Sequence, residues 1–119
     1  MVTILWEYQV KADRAAEFEQ IYSSDGKWAE LFKKSEGFIT THLFKSPNIP
    51  NHFLTIDQWE TMKDYKTFLS QWKEEYEALE KRCEDLTEYE SCLGMFGDGF
   101  DDKNNGEHHY DGSHPDPTA

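Results

Sequence analysis

Apolar residues in this chain recur first at every second position, then at every third or fourth, and the order of those switches limits the fold more than any other feature. Val2, Ile4, Trp6, Tyr8 and Val10 share one parity, with Thr3, Leu5, Glu7 and Gln9 on the other, which is a strand period. Ala12 to Tyr22 then takes helical spacing through Ala15, Phe18, Ile21 and Tyr22. Ser23 to Gly26 interrupts it, and Trp28, Leu31 and Phe32 begin a second helical piece that ends at Lys33, Lys34 and Gly37. Phe38–Lys45 and Asn51–Glu60 read as two strands, joined by a Ser46-Pro-Asn-Ile-Pro50 loop whose prolines suit a hairpin connection. From Thr61 the spacing is helical again. Tyr65, Leu69, Trp72, Tyr76, Leu79 and Cys83 form one apolar face, predicting a single continuous helix capped by Thr61, with Asp64 in its first turn. Glu88–Phe96 alternates as a last strand.

The order is βαββαβ, with the first helix in two pieces. It predicts an α+β, ferredoxin-like domain over residues 1–96: a four-stranded antiparallel sheet with its helices on one face. The other face is expected to carry Leu54, Ile56, Ile39, Thr41 and Leu43. An apolar sheet face of that size calls for a partner, and two copies packed sheet to sheet would cover it, so a homodimer is expected. A chain of 119 residues with 37% hydrophobic content builds one small core, and coverage by a second subunit would complete its burial. Residues 97–119 lose all periodicity and have the composition of a disordered acidic tail.

The formal net charge is −12, of which the tail contributes −5. Such a domain repels phosphate backbones and anionic lipid, so neither nucleic acid nor a membrane surface is an expected partner. No apolar run spans a bilayer and no basic-then-apolar leader opens the chain, which predicts a cytoplasmic protein. Cys83 and Cys92 are too few for a disulfide framework and read as small core residues. His108, His109 and His114 lie in the tail without a scaffold to fix ligand geometry. Asp101–Gly106 mimics a calcium loop only in part, because Lys103 takes a ligand position. No metal and no cofactor are expected.

A hairpin symmetric about residues 48 and 49 would set Phe44 opposite Phe53, His42 opposite Thr55, Thr40 opposite Asp57 and Phe38 opposite Trp59. Thr40, His42, Thr55, Asp57 and Trp59 would then converge under the helix that carries Tyr65, with Phe38, Leu69 and Trp72 completing a substrate wall. His42 or Asp57 is a candidate base, and burial would raise the carboxyl toward working pH. The Trp59 N–H and Tyr65 hydroxyl are candidate donors to a developing oxyanion. Each residue also has a plain structural reading. Trp59 and Tyr65 can be core aromatics, His42 a hydrogen-bonded core histidine, and Asp57 a cap on a backbone N–H.

The segment Phe53-Leu-Thr-Ile-Asp-Gln-Trp59, handing over to Tyr65, resembles the strand-Trp-helix junction of the antibiotic biosynthesis monooxygenase family of dimeric α+β barrels. In its cofactor-independent, quinone-forming members an Asn, a Trp and a Tyr of this junction line the cavity. The matching positions here are Thr55, Trp59 and Tyr65, so a threonine stands at the asparagine position. The resemblance implies a cofactor-independent monooxygenase that brings O2 to a small aromatic or quinol-type molecule. The alternative is a non-catalytic small-molecule-binding or stress-response dimer of the same fold. Haem-degrading proteins of similar fold place a ligating His where this chain has Leu69, which cannot bind iron, so haem is not expected.

Overall fold

The computed structural model describes residues 1–98. The bulk of the 97–119 tail, including the three tail histidines and the partial calcium-loop match, lies outside the described residues. The element order is β1 (Val2–Val10), a 3₁₀ turn (Ala12–Arg14), α1 (Ala15–Tyr22), α2 (Lys27–Phe32), β2 (Phe38–Lys45) and β3 (His52–Trp59). It continues with α3 (Met62–Gln71), α4 (Lys73–Cys83), a second 3₁₀ turn (Glu84–Leu86) and β4 (Thr87–Gly97). The four strands form one antiparallel sheet in the order β2-β3-β1-β4. This is the ferredoxin-like α+β arrangement that the alternating periods predict.

The alternation in β1 sends Val2, Ile4, Trp6, Tyr8 and Val10 beneath the helices, where all five are buried. On the same side β3 contributes Phe53, Thr55, Asp57 and Trp59. The helices cover this face with Phe18, Ile21, Tyr22, Trp28, Leu31, Phe32, Phe68 and Tyr76, so the core is largely aromatic. Rings interlock around Trp59, with Phe32 and Phe38 edge to face and Tyr65 and Phe68 tilted, all with centroids 5.1–5.6 Å away.

Two sequence expectations change. The long helix is broken. Its carbonyl ladder stops at Trp72 (φ −113°, ψ 31°), and α4 restarts at Lys73. The buried face therefore runs through Tyr65, Phe68, Tyr76 and Cys83, with Leu69, Trp72 and Leu79 only half-buried. Phe68, not Leu69, is the inward residue of α3.

The second change is the β2–β3 register. Ser46 N–H donates to the His52 carbonyl, and the Ser46 hydroxyl accepts from the N–H groups of Asn48 and Ile49. Asn51 closes the loop at φ 58°, a conformation that Asn tolerates. The loop is thereby centred on Ile49 rather than between Asn48 and Ile49. Thr41 consequently faces Asp57, Leu43 faces Thr55, His42 faces Ile56 and Phe44 faces Leu54. An irregularity between Phe38 and Thr40 takes up the extra residue, and Phe38 still pairs with Trp59.

That single step exchanges the faces of β2. Thr41 and Leu43, expected on the open face, turn toward the helices, where Thr41 is buried. Thr40, His42 and Phe44 turn to the uncovered face instead, and His42 and Phe44 are exposed. Leu54 and Ile56 lie on the uncovered face as expected, and Ile39 is exposed in the bulge.

Candidate active site

Between the helices and the sheet, with residues from all four strands, lies a cavity of about 400 Å³. Trp6 and Tyr8 reach it from β1 because they share the buried parity of that strand, and Tyr22, Trp28, Tyr65 and Tyr76 reach it from the helices. Such amphipathic aromatics bring both apolar ring area and polar atoms to a cavity, and the Trp28 Nε1 is buried with no hydrogen-bond partner among the described residues.

Three polar side chains of the sheet line the same space: Thr41, Thr55 and Asp57. All three are buried. The Thr41 hydroxyl donates to Asp57 Oδ1 at 2.6 Å, across the shifted register. Burial pushes the Asp57 carboxyl up from its ordinary 3.8 to about 7, although the Thr41 hydrogen bond favours the charged form and works against that rise. The Tyr8 hydroxyl and Thr55 Oγ1 are 2.9 Å apart in a second buried hydrogen bond. Desolvation, with smaller contributions from Tyr22 and Asp57, holds the Tyr8 phenol well above its usual range, so it stays protonated and able to donate.

Of the expected site residues, Thr55, Asp57 and Tyr65 line the cavity. Trp59 does not. It is fully buried behind Tyr65, and its Nε1 is buried with no hydrogen-bond partner among the described residues. Phe38 packs on Trp59 and Phe32 rather than on the cavity. Leu69 is a half-buried edge of the core, and Trp72 sits at the helix break with Lys34 Nζ 5.2 Å from its ring. His42 and Thr40 lie on the opposite face of the sheet, 3.4 Å from each other (Thr40 Oγ1 to His42 Nε2), and the register step removes them from this space.

Sequence reasoning passed over Thr41, Tyr8 and the aromatic contributions of Tyr22, Trp28 and Tyr76. Tyr8 was legible as a polar-tipped aromatic on a buried strand parity. Thr41 was legible only through Ser46 and Asn51, the two residues that fix the centre of the hairpin loop. Among the described residues no cluster of His, Cys, Asp or Glu has the geometry to hold a metal ion, and no helix is long and apolar enough to cross a membrane.

Solved structures share this architecture. SnoaB from Streptomyces nogalater, a cofactor-independent oxygenase, superposes with a TM-score of 0.64 at 23% identity, covering 81% of this chain and 90% of its own. A candidate antibiotic biosynthesis monooxygenase from Nitrosomonas europaea gives 0.61 at 17% identity, covering 82% and 97%. The Pseudomonas aeruginosa protein PA3566 gives 0.59 at 13% identity, covering 80% and 90%. At these identities the likeness establishes the fold. No curated protein matches the chain in sequence. The family model for antibiotic biosynthesis monooxygenases matches residues 1–82, from β1 to the last turn of α4. With the sheet order and the strand-Trp-helix junction in agreement with that match, the chain belongs to the antibiotic biosynthesis monooxygenase family.

Proposed function

We propose that this protein is a cofactor-independent monooxygenase acting on a small aromatic or quinol-type molecule, with Asp57 as its general base. The observation that carries the reading is the Asp57 carboxyl itself, buried in an aromatic cavity and held by Thr41. A base whose pKa lies near working pH is partly ionised there and matched to taking a proton from a weak acid. A phenol, anthrone or hydroquinone that loses its proton becomes an anion rich enough to pass an electron to O2. For an anthrone, the methylene carbon gives up two hydrogens and gains one oxygen atom as a carbonyl. The other oxygen atom leaves as water, so the substrate supplies all of the electrons.

The protein's part is to hold the reactants aligned, accept the proton and stabilise the anion. Tyr65 and Tyr76 offer walls for the ring, and Trp59, itself packed on Phe68, backs Tyr65. The protonated Tyr8 hydroxyl, oriented by Thr55, is the donor best placed by chemistry for a developing oxyanion. With threonine at the asparagine position of the quinone-forming relatives, the Tyr8–Thr55 pair takes over the donor role. The uncovered sheet face, with Phe44 and Phe96 exposed, is the surface on which a second copy would pack.

Oxygen uptake by metal-stripped protein on a panel of anthrones and hydroquinones tests the reading, with Asp57→Asn as the comparison. Wild type consumes O2 and the variant loses about 100-fold or more, the range for removal of a general base. No uptake above background by wild type on any member of the panel would leave a binding module instead.

A further inference from the structure

Two different groups that recognise cations surround the cavity. The aromatic residues Trp28, Tyr22 and Tyr76 line it, and so do the acidic residues Glu80, Glu84, Glu88 and Glu90. Glu84, Glu88 and Glu90 are exposed, whereas Asp57 is buried, so the acidic groups divide into one at the inner wall and several at the mouth. The glutamates come from two elements that meet there, the C-terminal end of α4 with the 3₁₀ turn after it, and the start of β4. Glu90 pairs with Tyr8 across the sheet, which puts both on the helix side. Its charge is felt at Tyr8, Tyr22 and Cys83, where it adds to the rise caused chiefly by burial. None of the residues lining the cavity is Lys, Arg or His.

We infer that the cavity selects a cationic aromatic ligand: a flat ring system bearing an ammonium group, ring inward against the tyrosines and ammonium outward among the glutamates. The inference rests on the proposed function in taking this cavity as the substrate site, and it names the class of substrate. Aromatic faces attract an ammonium through their quadrupole, and a carboxylate rim at the same opening adds Coulomb attraction. The chain's formal net charge of −12 favours the approach of a cation over that of an anion. The chemistry proposed for Asp57 is compatible with such a ligand. Loss of a ring proton would turn the bound cation into a zwitterion, with its negative end beside Tyr8 and its positive end at the glutamates. A substrate with a carboxylate or phosphate in place of the ammonium would instead meet like charge at the entrance.

The test is a calorimetric titration of the full chain with three probes that share one ring system: 1-naphthylmethylamine, 1-naphthalenemethanol and 1-naphthoate. Binding about tenfold tighter for the ammonium than for the alcohol is expected at low salt, with the naphthoate weakest and the preference shrinking as salt is added. In the Glu84→Gln/Glu88→Gln/Glu90→Gln variant, altered only at exposed side chains, the ammonium-to-alcohol ratio should fall toward one while the alcohol keeps its affinity. An alcohol that binds as tightly as the ammonium, or a ratio that survives in the triple variant, overturns the inference. So does failure of all three probes to bind. No turnover enters this readout. Ammonium preference without oxygen uptake on any quinol would uphold charge selection and sink the oxygenase reading. Oxygen uptake that is equal on neutral and amine-bearing quinols, with no binding preference, would do the reverse.

Discussion

Burial raises the Asp57 carboxyl from 3.8 to about 7, and the same shift bears on stability and on reactivity. Between those values the folded chain holds a proton that the unfolded chain has released. The stabilisation is fully present below pH 3.8 and is lost as pH rises through 7, where folding must bury an ionised carboxylate. By linkage the difference amounts to at most ~4 kcal/mol. Asp57→Asn, which keeps an acceptor for Thr41, should therefore gain thermal stability over wild type at pH 8.5 and gain less at pH 5. A Tm difference that is flat across that range would contradict the burial account. Thr41 acts in the opposite sense, since its hydrogen bond favours the carboxylate. Thr41→Val should move the Asp57 titration upward, as read by the chemical shift of the labelled carboxyl carbon. A downward move would mean that Thr41 does not stabilise the charged form.

At the level of elements, the period switches alone predict six segments and their order, because strand and helix spacing are both written in which residues are apolar. What that pattern leaves open is where a hairpin turns. Ser46 and Asn51 set the turn through a hydroxyl that accepts from two backbone N–H groups and through a positive φ, neither of which leaves a trace in hydrophobic spacing. The consequence is large for function: one residue of register replaces Thr40 by Thr41 opposite Asp57 and His42 by Leu43 opposite Thr55, which takes His42 off the helix side. The break at Trp72 is similarly silent. Alternating steps of three and four suit one long helix as well as two short ones, and only packing decides that Phe68 turns inward. The start of α3 was legible. Thr61 Oγ1 accepts from the Asp64 N–H at 3.0 Å and caps the helix that brings Tyr65 to the cavity. Thr61→Ala should cost about 1 kcal/mol, seen as a Tm lower by several degrees. An unchanged Tm would show that tertiary packing alone sets the helix start.

For the whole molecule, one sheet face is covered by helices and the other is left open among the described residues. Thr3, Leu5, Leu54, Ile56, Phe44 and Phe96 share that second face through their cross-strand pairings. Phe44 and Phe96 are 50% and 58% exposed, which is costly for large apolar side chains without a partner. Light scattering should give the mass of two chains for wild type and of one chain for Phe44→Asp/Phe96→Asp. A monomeric wild type would leave this face to some other partner. The cavity, with the chemistry proposed for it, lies on the opposite side of the sheet. The most direct test of that chemistry is the pH dependence of oxygen uptake on a quinol that the wild-type protein consumes. A rate that rises with pH through a midpoint near 7 in wild type, and is low and flat in Asp57→Asn, is the result expected of a buried Asp57 acting as base. A variant that keeps the wild-type rate and midpoint would contradict it.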